Sequence, residues 1–242
     1  MMRRITRALL IDADDTLWEN NIYYLRCTAR FAELMGCYGI PAEEVIATLD
    51  RTERGTIMTL GYGPTSYRTS LGKTCVTLLR SRGLHADEGL IAEAQACADM
   101  LFDPPVEILP AVPETLRRLR ASSLLVMVTK GEEQVQRAKI ERSGLAPLFD
   151  RVLILPEKDA DTYRRLVCEL RLEPPRTWMV GNSPRSDINP AIEAGLNAIY
   201  IPHDHTWTAE RQQITRPEAV VVLERFADLP TYFDIEGDES PS

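Results

Sequence analysis

The chain has 242 residues, 44% hydrophobic and 26% charged, the profile of a soluble globular protein with enough apolar mass for one or two cores. Its formal net charge of −8 and pI near 5.1 oppose nucleic acid and anionic membrane, so an anionic substrate has to be held by local groups. No apolar run approaches the roughly 20 residues that span a bilayer, and acids interrupt the first apolar run before a signal-peptide core can form. The five cysteines, Cys27, Cys37, Cys75, Cys97 and Cys168, are widely spaced and contain no C-x-x-C pair, which predicts a reduced, cytoplasmic protein without a disulfide framework or a zinc site.

The first element is the apolar run Ala8 to Ile11, read as a buried strand, which passes directly into Asp12, Asp14 and Asp15. From about residue 19 to 108 there are no β-branched runs. Ile22, Leu25, Ala29, Ala32 and Met35 share one helical face there, and Leu90, Ala94, Cys97 and Leu101 another. "GIP" at 39 and "GYGP" at 61 punctuate these helices, and "DPPVEILP" reads as a stiff linker. Apolar runs then return as "LLVMV", "RVLIL", "TWMV", "NAIYI" and "AVVVL", alternating with helical patterns over 113–120, 132–143, 161–170 and 188–194. The expected fold is α/β: a Rossmann-like parallel sheet with helices on both faces (residues 1–18 and 109–242) plus a small all-helical domain (19–108). The acidic tail "DIEGDESPS" is too poor in apolar residues to join a core.

Ligands of open parallel sheets bind beyond the carboxyl ends of the strands. There the sequence places Asp12 and Asp14, then Thr129 and Lys130, then Lys158, then Asn182, Ser183 and Asp187. Crowded carboxylates need a divalent cation or a shared proton, and a hydroxyl beside an ammonium suits a phosphate. Each signal has a plainer reading. The aspartates could form a capping turn, although an EF-hand is excluded by missing ligands and glycine. Thr129 and Glu132 match a capping box, Asp187 could cap a helix, and Lys139 competes with Lys130 and Lys158 for the cationic role. Lys158 is harder to dismiss, because a cation at a helix start opposes the macrodipole unless an anion lies nearby. His203 and His205 are read as loop-packing residues, not metal ligands.

In order and spacing, "DADDT", "VMVTKG", "PEKDADTYRRL" and "VGNSPRSDINPAIEAGL" resemble the motifs of the haloacid dehalogenase superfamily, phosphatase branch, across the whole chain. The helical insertion resembles that family's cap, lying between the first and second motifs. Asp15 stands where glycine is commoner, "EKDAD" replaces a lysine-proline form, and Asn182 stands where many members have an acid. The resemblance implies a phosphatase using Mg²⁺ and acting on a small phosphorylated metabolite. In it Asp12 attacks phosphorus, Asp14 serves as acid and then base, and Thr129 and Lys158 bind the phosphoryl oxygens. The Asp12 and Asp187 carboxylates and the Asp14 carbonyl are implied as metal ligands, with Lys130 and Asn182 near the substrate. Rival readings are a 2-haloacid dehalogenase, a phosphomutase and a non-catalytic phosphate-binding protein. Within the insertion, "GYGPTSYRTS" offers Tyr62, Tyr67 and Arg68, of which Arg68 is the candidate for a second substrate anion, unless it is a solvated helix residue.

Overall fold

The computed structural model describes residues 5–235, so the early arginines Arg3 and Arg4 and the acidic tail from residue 236 onward lie outside the described residues. The chain divides into two compact units, one of Met1–Asn21, Val106–Lys130 and Ile140–Ser242, the other of Ile22–Pro105 and Gly131–Lys139. The sequence pattern places the last of these segments with the sheet.

In chain order the elements are β1 (Arg7–Ile11), α1 (Asn21–Gly36), α2 (Ala42–Leu60), α3 (Pro64–Arg80), α4 (Glu88–Ala96), α5 (Val112–Arg120), β2 (Ser123–Lys130), α6 (Glu133–Ser143), β3 (Arg151–Leu155), α7 (Ala160–Glu169), β4 (Thr177–Gly181), α8 (Asn189–Glu193), β5 (Asn197–Tyr200), β6 (Val220–Val222) and α9 (Leu229–Tyr232). All six apolar runs form strands, in the order β3-β2-β1-β4-β5-β6, and every pairing is parallel. Helices cover both faces because successive side chains of a strand point to opposite sides. Leu9, Ile11, Leu125 and Met127 pack with Val112, Leu116 and Phe226. Leu10, Val126 and Val128 pack with Tyr163, Leu166 and Ala191 on the other side. The strand order reverses beside β1, so the C-terminal ends of β1, β2 and β4 open onto one crevice, the position such sheets use for ligands.

The helix expected over 188–194 forms as α8, and the chain makes a π-helical turn at Pro184–Ile188 directly before it, which the pattern does not announce. The Ile188 N–H reaches back five residues to the Ser183 carbonyl at 3.1 Å, and Pro190, with no N–H, cannot continue the regular ladder.

The helical unit has its own core, including Phe31, Met35, Val45, Leu71, Leu79 and Leu101. Asp87 caps α4 by accepting the Leu90 N–H at 2.8 Å, and Gly61, with φ of +77°, ends α2. No helix among the described residues is long and apolar enough to cross a membrane.

Candidate active site

The first strand delivers Asp12 to the crevice with its N–H on the Val180 carbonyl at 2.9 Å, so β1 and β4 fix the backbone beneath the carboxylate. The side chain is buried, and both of its oxygens have partners. Thr16 Oγ1 donates to Oδ2 at 3.0 Å and the Lys158 ammonium donates to Oδ1. Lys158 Nζ also donates to Asp187 Oδ1 at 2.8 Å, so one ammonium joins two carboxylates carried by different strands. This explains the cation beside a helix start: Lys158 directly precedes the N-cap Asp159, which accepts the Thr162 N–H at 2.7 Å, while the Lys158 side chain serves the strand ends.

Burial pushes the Asp12 carboxyl up to about 7, with Lys158 opposing the rise and Asp187 adding to it. Burial pulls the Lys158 ammonium down, but Asp12 and Asp187 outweigh that effect and hold it well above the usual lysine range.

Asp187 is fully buried in the π-helical turn. Its Oδ2 accepts the Ser183 N–H at 3.0 Å, so the carboxylate turns back into the crevice and does not cap α8. Space for it exists because residue 181 is glycine: a Cβ there would stand 2.2 Å from Asp187 Oδ2. Asn182 donates through Nδ2 to Thr206 Oγ1 at 3.0 Å, which leaves its amide oxygen on the side of Thr16, 3.5 Å away.

Thr129 is buried within β2, four residues before α6 begins at Glu133, so it is not the N-cap that a capping box requires. Asp14 Oδ1 accepts the Trp18 Nε1–H at 2.7 Å. Asp15 has φ of +60°, a region that aspartate tolerates and glycine favours, and its Oδ1 accepts the N–H groups of Asn20 and Asn21 at the start of α1. The acid that replaces the commoner glycine is therefore a helix cap.

The acids and histidine whose donor atoms converge within 4.8 Å, among the described residues, are Asp15, Glu19 and His203. His203 Nε2 lies 3.4 Å from Glu19, and its ring packs edge-on to His205, so the histidine read as a loop-packing residue stands among donors that could hold a metal ion. The set expected from the sequence resemblance is a different one: the Asp12 and Asp187 carboxylates and the Asp14 main-chain oxygen, with the Asn182 amide oxygen beside them. Two buried carboxylates, an amide oxygen and a main-chain carbonyl are all hard oxygen donors, and Gly181 keeps room for one of them, so these residues fit a hard divalent cation.

Arg68 lies in the helical unit, where it pairs with Asp99 at 2.9 Å and stacks over Phe102. Tyr67 beside it is buried, with its hydroxyl 2.7 Å from Thr28 Oγ1 and its ring edge-on to Tyr24, so it is a packing residue of that unit. Lys139 is buried in α6.

Sequence reasoning missed Glu210. From the segment after β5 its buried carboxylate accepts the Ser183 and Ser186 hydroxyls, each at 2.5 Å, and the Lys130 ammonium at 2.9 Å; Lys130 also donates to Ser186 at 2.7 Å. Burial raises the Glu210 carboxyl, but Lys130 and the two hydroxyls outweigh it and bring it down to about 2. A carboxyl depressed from 4.5 to about 2 contributes stability that is complete above pH 4.5 and lost as pH falls toward 2, on the order of 3 kcal/mol. Glu210→Gln is therefore expected to lower the denaturant midpoint at pH 7 and to lose most of that deficit at pH 3. An unchanged midpoint at pH 7 would leave the network without energetic weight.

A parallel sheet carries these acids and this lysine at its carboxyl edge, and residues 6–195 match the family model of the haloacid dehalogenase-like hydrolases. The chain belongs to that family. It is 32% identical over 87 residues to a phosphoserine phosphatase of Thermus thermophilus, covering 34% of this chain and 35% of that protein. It is 28% identical over 115 residues to a pyrimidine 5'-nucleotidase of Escherichia coli, covering 41% and 51%. The matches thus span only about a third to a half of those relatives. Among solved structures, a haloacid dehalogenase-like hydrolase from Xanthomonas campestris superposes with a TM-score of 0.75 at 27% identity over 96% of both chains. An L-2-haloacid dehalogenase from Xanthobacter autotrophicus shares the fold, with a TM-score of 0.57 at 17% identity over 94% and 98%.

Proposed function

We propose that the protein is a magnesium-dependent phosphatase that hydrolyses a small phosphate monoester through an aspartyl-phosphate on Asp12. The observation that carries this reading is the buried Lys158 ammonium shared by Asp12 and Asp187, a cation fixed at the strand ends where a phosphoryl group would sit. The phosphatase and nucleotidase names of the relatives support the same chemistry.

In this reading Asp12 forms the new bond to phosphorus while Asp14 protonates the departing oxygen, and Asp14 then takes a proton from the water that opens the intermediate. Thr129 and Lys158 stabilise charge on the transferring oxygens. The Asp12 and Asp187 carboxylates and the Asp14 carbonyl would hold Mg²⁺, which when bound neutralises phosphoryl charge. Asn182 orients its amide oxygen toward this set. Lys130, engaged by Ser186 and Glu210, acts on the substrate through the turn it supports.

Incubation of the purified protein with Mg²⁺ and a panel of phosphorylated metabolites, together with p-nitrophenyl phosphate, tests the proposal by phosphate release. Halide release from 2-chloropropionate without phosphate release from any ester would replace it with the dehalogenase reading, in which a proton donor at Asp14 has no task. Arg68 is proposed to hold a second anionic group of the substrate. Arg68→Ala is then expected to lower kcat/KM about tenfold or more for the best metabolite and much less for p-nitrophenyl phosphate. Equal losses, or none, would leave Arg68 with its Asp99 pair as its whole role.

A further inference from the structure

We propose that Trp18 is a positioning residue for the acid–base carboxylate Asp14, an inference that rests on the phosphatase reading. Trp18 lies four residues past Asp14 and is fully buried among Leu9, Ile11, Val112 and Leu116. Its backbone is held from two sides, in one bridge to Asp14 and another to Ile108, and its carbonyl accepts the Asp15 N–H at 2.8 Å. A ring so enclosed keeps one orientation. Its only polar atom, Nε1, is aimed at Asp14 Oδ1, 2.7 Å away.

A buried indole N–H needs an acceptor, and a backbone carbonyl would serve. Here the acceptor is the carboxylate that has to present a proton to the leaving group. A donor bonded to a carboxylate is stronger than a neutral pair and fixes the direction of the carboxyl plane. With Oδ1 held by the indole, the proton is carried on Oδ2. In the transfer step the Asp12 oxygen–phosphorus bond forms, the phosphorus–ester oxygen bond breaks, and the Oδ2 proton passes to the departing oxygen. An alcohol leaves, and the Asp14 carboxylate that results is met by the indole N–H. Trp18 thus touches no substrate atom. It acts by orienting Asp14 and stabilising the charge that develops there.

The test compares kcat/KM for p-nitrophenyl phosphate with that for the best aliphatic phosphate monoester, both with Mg²⁺. This parameter covers the steps up to alcohol release and excludes hydrolysis of the intermediate. Trp18→Phe keeps an aromatic ring but removes the donor. It is expected to lower kcat/KM about tenfold for the aliphatic ester, which needs protonation, and less than about threefold for the nitrophenyl ester, whose anion leaves unaided. In an Asp14→Asn background the same substitution should change neither value further. Equal losses on the two esters, or an undiminished loss in the Asp14→Asn background, would make Trp18 a packing residue only. If thermal melts show that Trp18→Phe does not fold, 3-benzothienylalanine at position 18 retains the shape of the indole with sulfur in place of N–H, and its values are read by the same criteria. A wild-type chain that releases no phosphate from either ester would overturn the phosphatase reading and this inference together, whereas wild-type turnover with equal losses overturns the inference alone.

Discussion

Asp12→Asn is expected to fold and to lose essentially all phosphate release, to below about 1% of wild type, because an amide does not attack phosphorus at a useful rate. The folding half of this expectation follows from the surroundings of Asp12. Its carboxyl is raised to about 7 by burial, above the 3.8 of an exposed aspartate. The native state therefore binds the proton more tightly than the unfolded chain does. Ionising Asp12 costs stability progressively as pH rises from about 3.8 to 7, and the cost is fully present above that window. Asparagine carries no charge to bury, can accept from Lys158 through its one amide oxygen while its NH2 donates to the Thr16 hydroxyl, and leaves Lys158 paired with Asp187. The thermal midpoint at pH 8 should equal or exceed that of wild type while turnover disappears, a separation seen where a site is built against stability for the sake of chemistry. Turnover above a few per cent in a folded Asp12→Asn protein would place the nucleophile elsewhere and remove the mechanism.

The sheet was legible because its signal is local. Runs such as "LLVMV" and "RVLIL" are short, apolar and separated by helical patterns, and a parallel sheet covered by helices buries both of their faces. The site was legible as positions, since residues that end parallel strands must meet at one edge, but not as contacts. Thr129 and Glu132 satisfy a capping pattern that the chain does not use, because Thr129 continues β2 while the Glu132 carboxylate accepts the Thr65 N–H at 3.2 Å. Asp187 matches a helix cap, yet the π-helical turn directs its carboxylate to Lys158, a geometry that no spacing rule announces. Glu210 is a single acid in a polar stretch, and its value comes from partners 24 to 80 positions away in the chain. The direction of the one polar side-chain atom of Trp18 depends on a turn closed by the Asp15 N–H and the Trp18 carbonyl. What the sequence withholds here is side-chain direction across long separations.

Removing divalent metal with EDTA is expected to abolish phosphate release, and Mg²⁺ to restore it. Asp187→Ala should raise the Mg²⁺ concentration needed by about tenfold or more, or prevent rescue altogether. The reason is charge balance in a closed space. Lys158 supplies one positive charge to two buried carboxylates, Asp12 and Asp187, which leaves a residual negative charge before any phosphate arrives. Two like unit charges about 4 Å apart repel by about 4 kcal/mol at an effective dielectric near 20, so bringing a phosphate dianion to that pocket requires a further cation. Asp187→Ala removes the residual charge and one hard oxygen together, leaving a balanced Lys158–Asp12 pair with little affinity for a second cation. A readout apart from turnover separates this from a folding defect. Mg²⁺ should raise the thermal midpoint of the wild-type protein, because a ligand that binds only the native state stabilises it, and should shift that of Asp187→Ala much less. Full activity in a metal-free preparation would contradict the proposed ligand set, and an Asp187→Ala protein with unaltered Mg²⁺ response would leave Asp187 as a partner of Lys158 and Ser183 and nothing more.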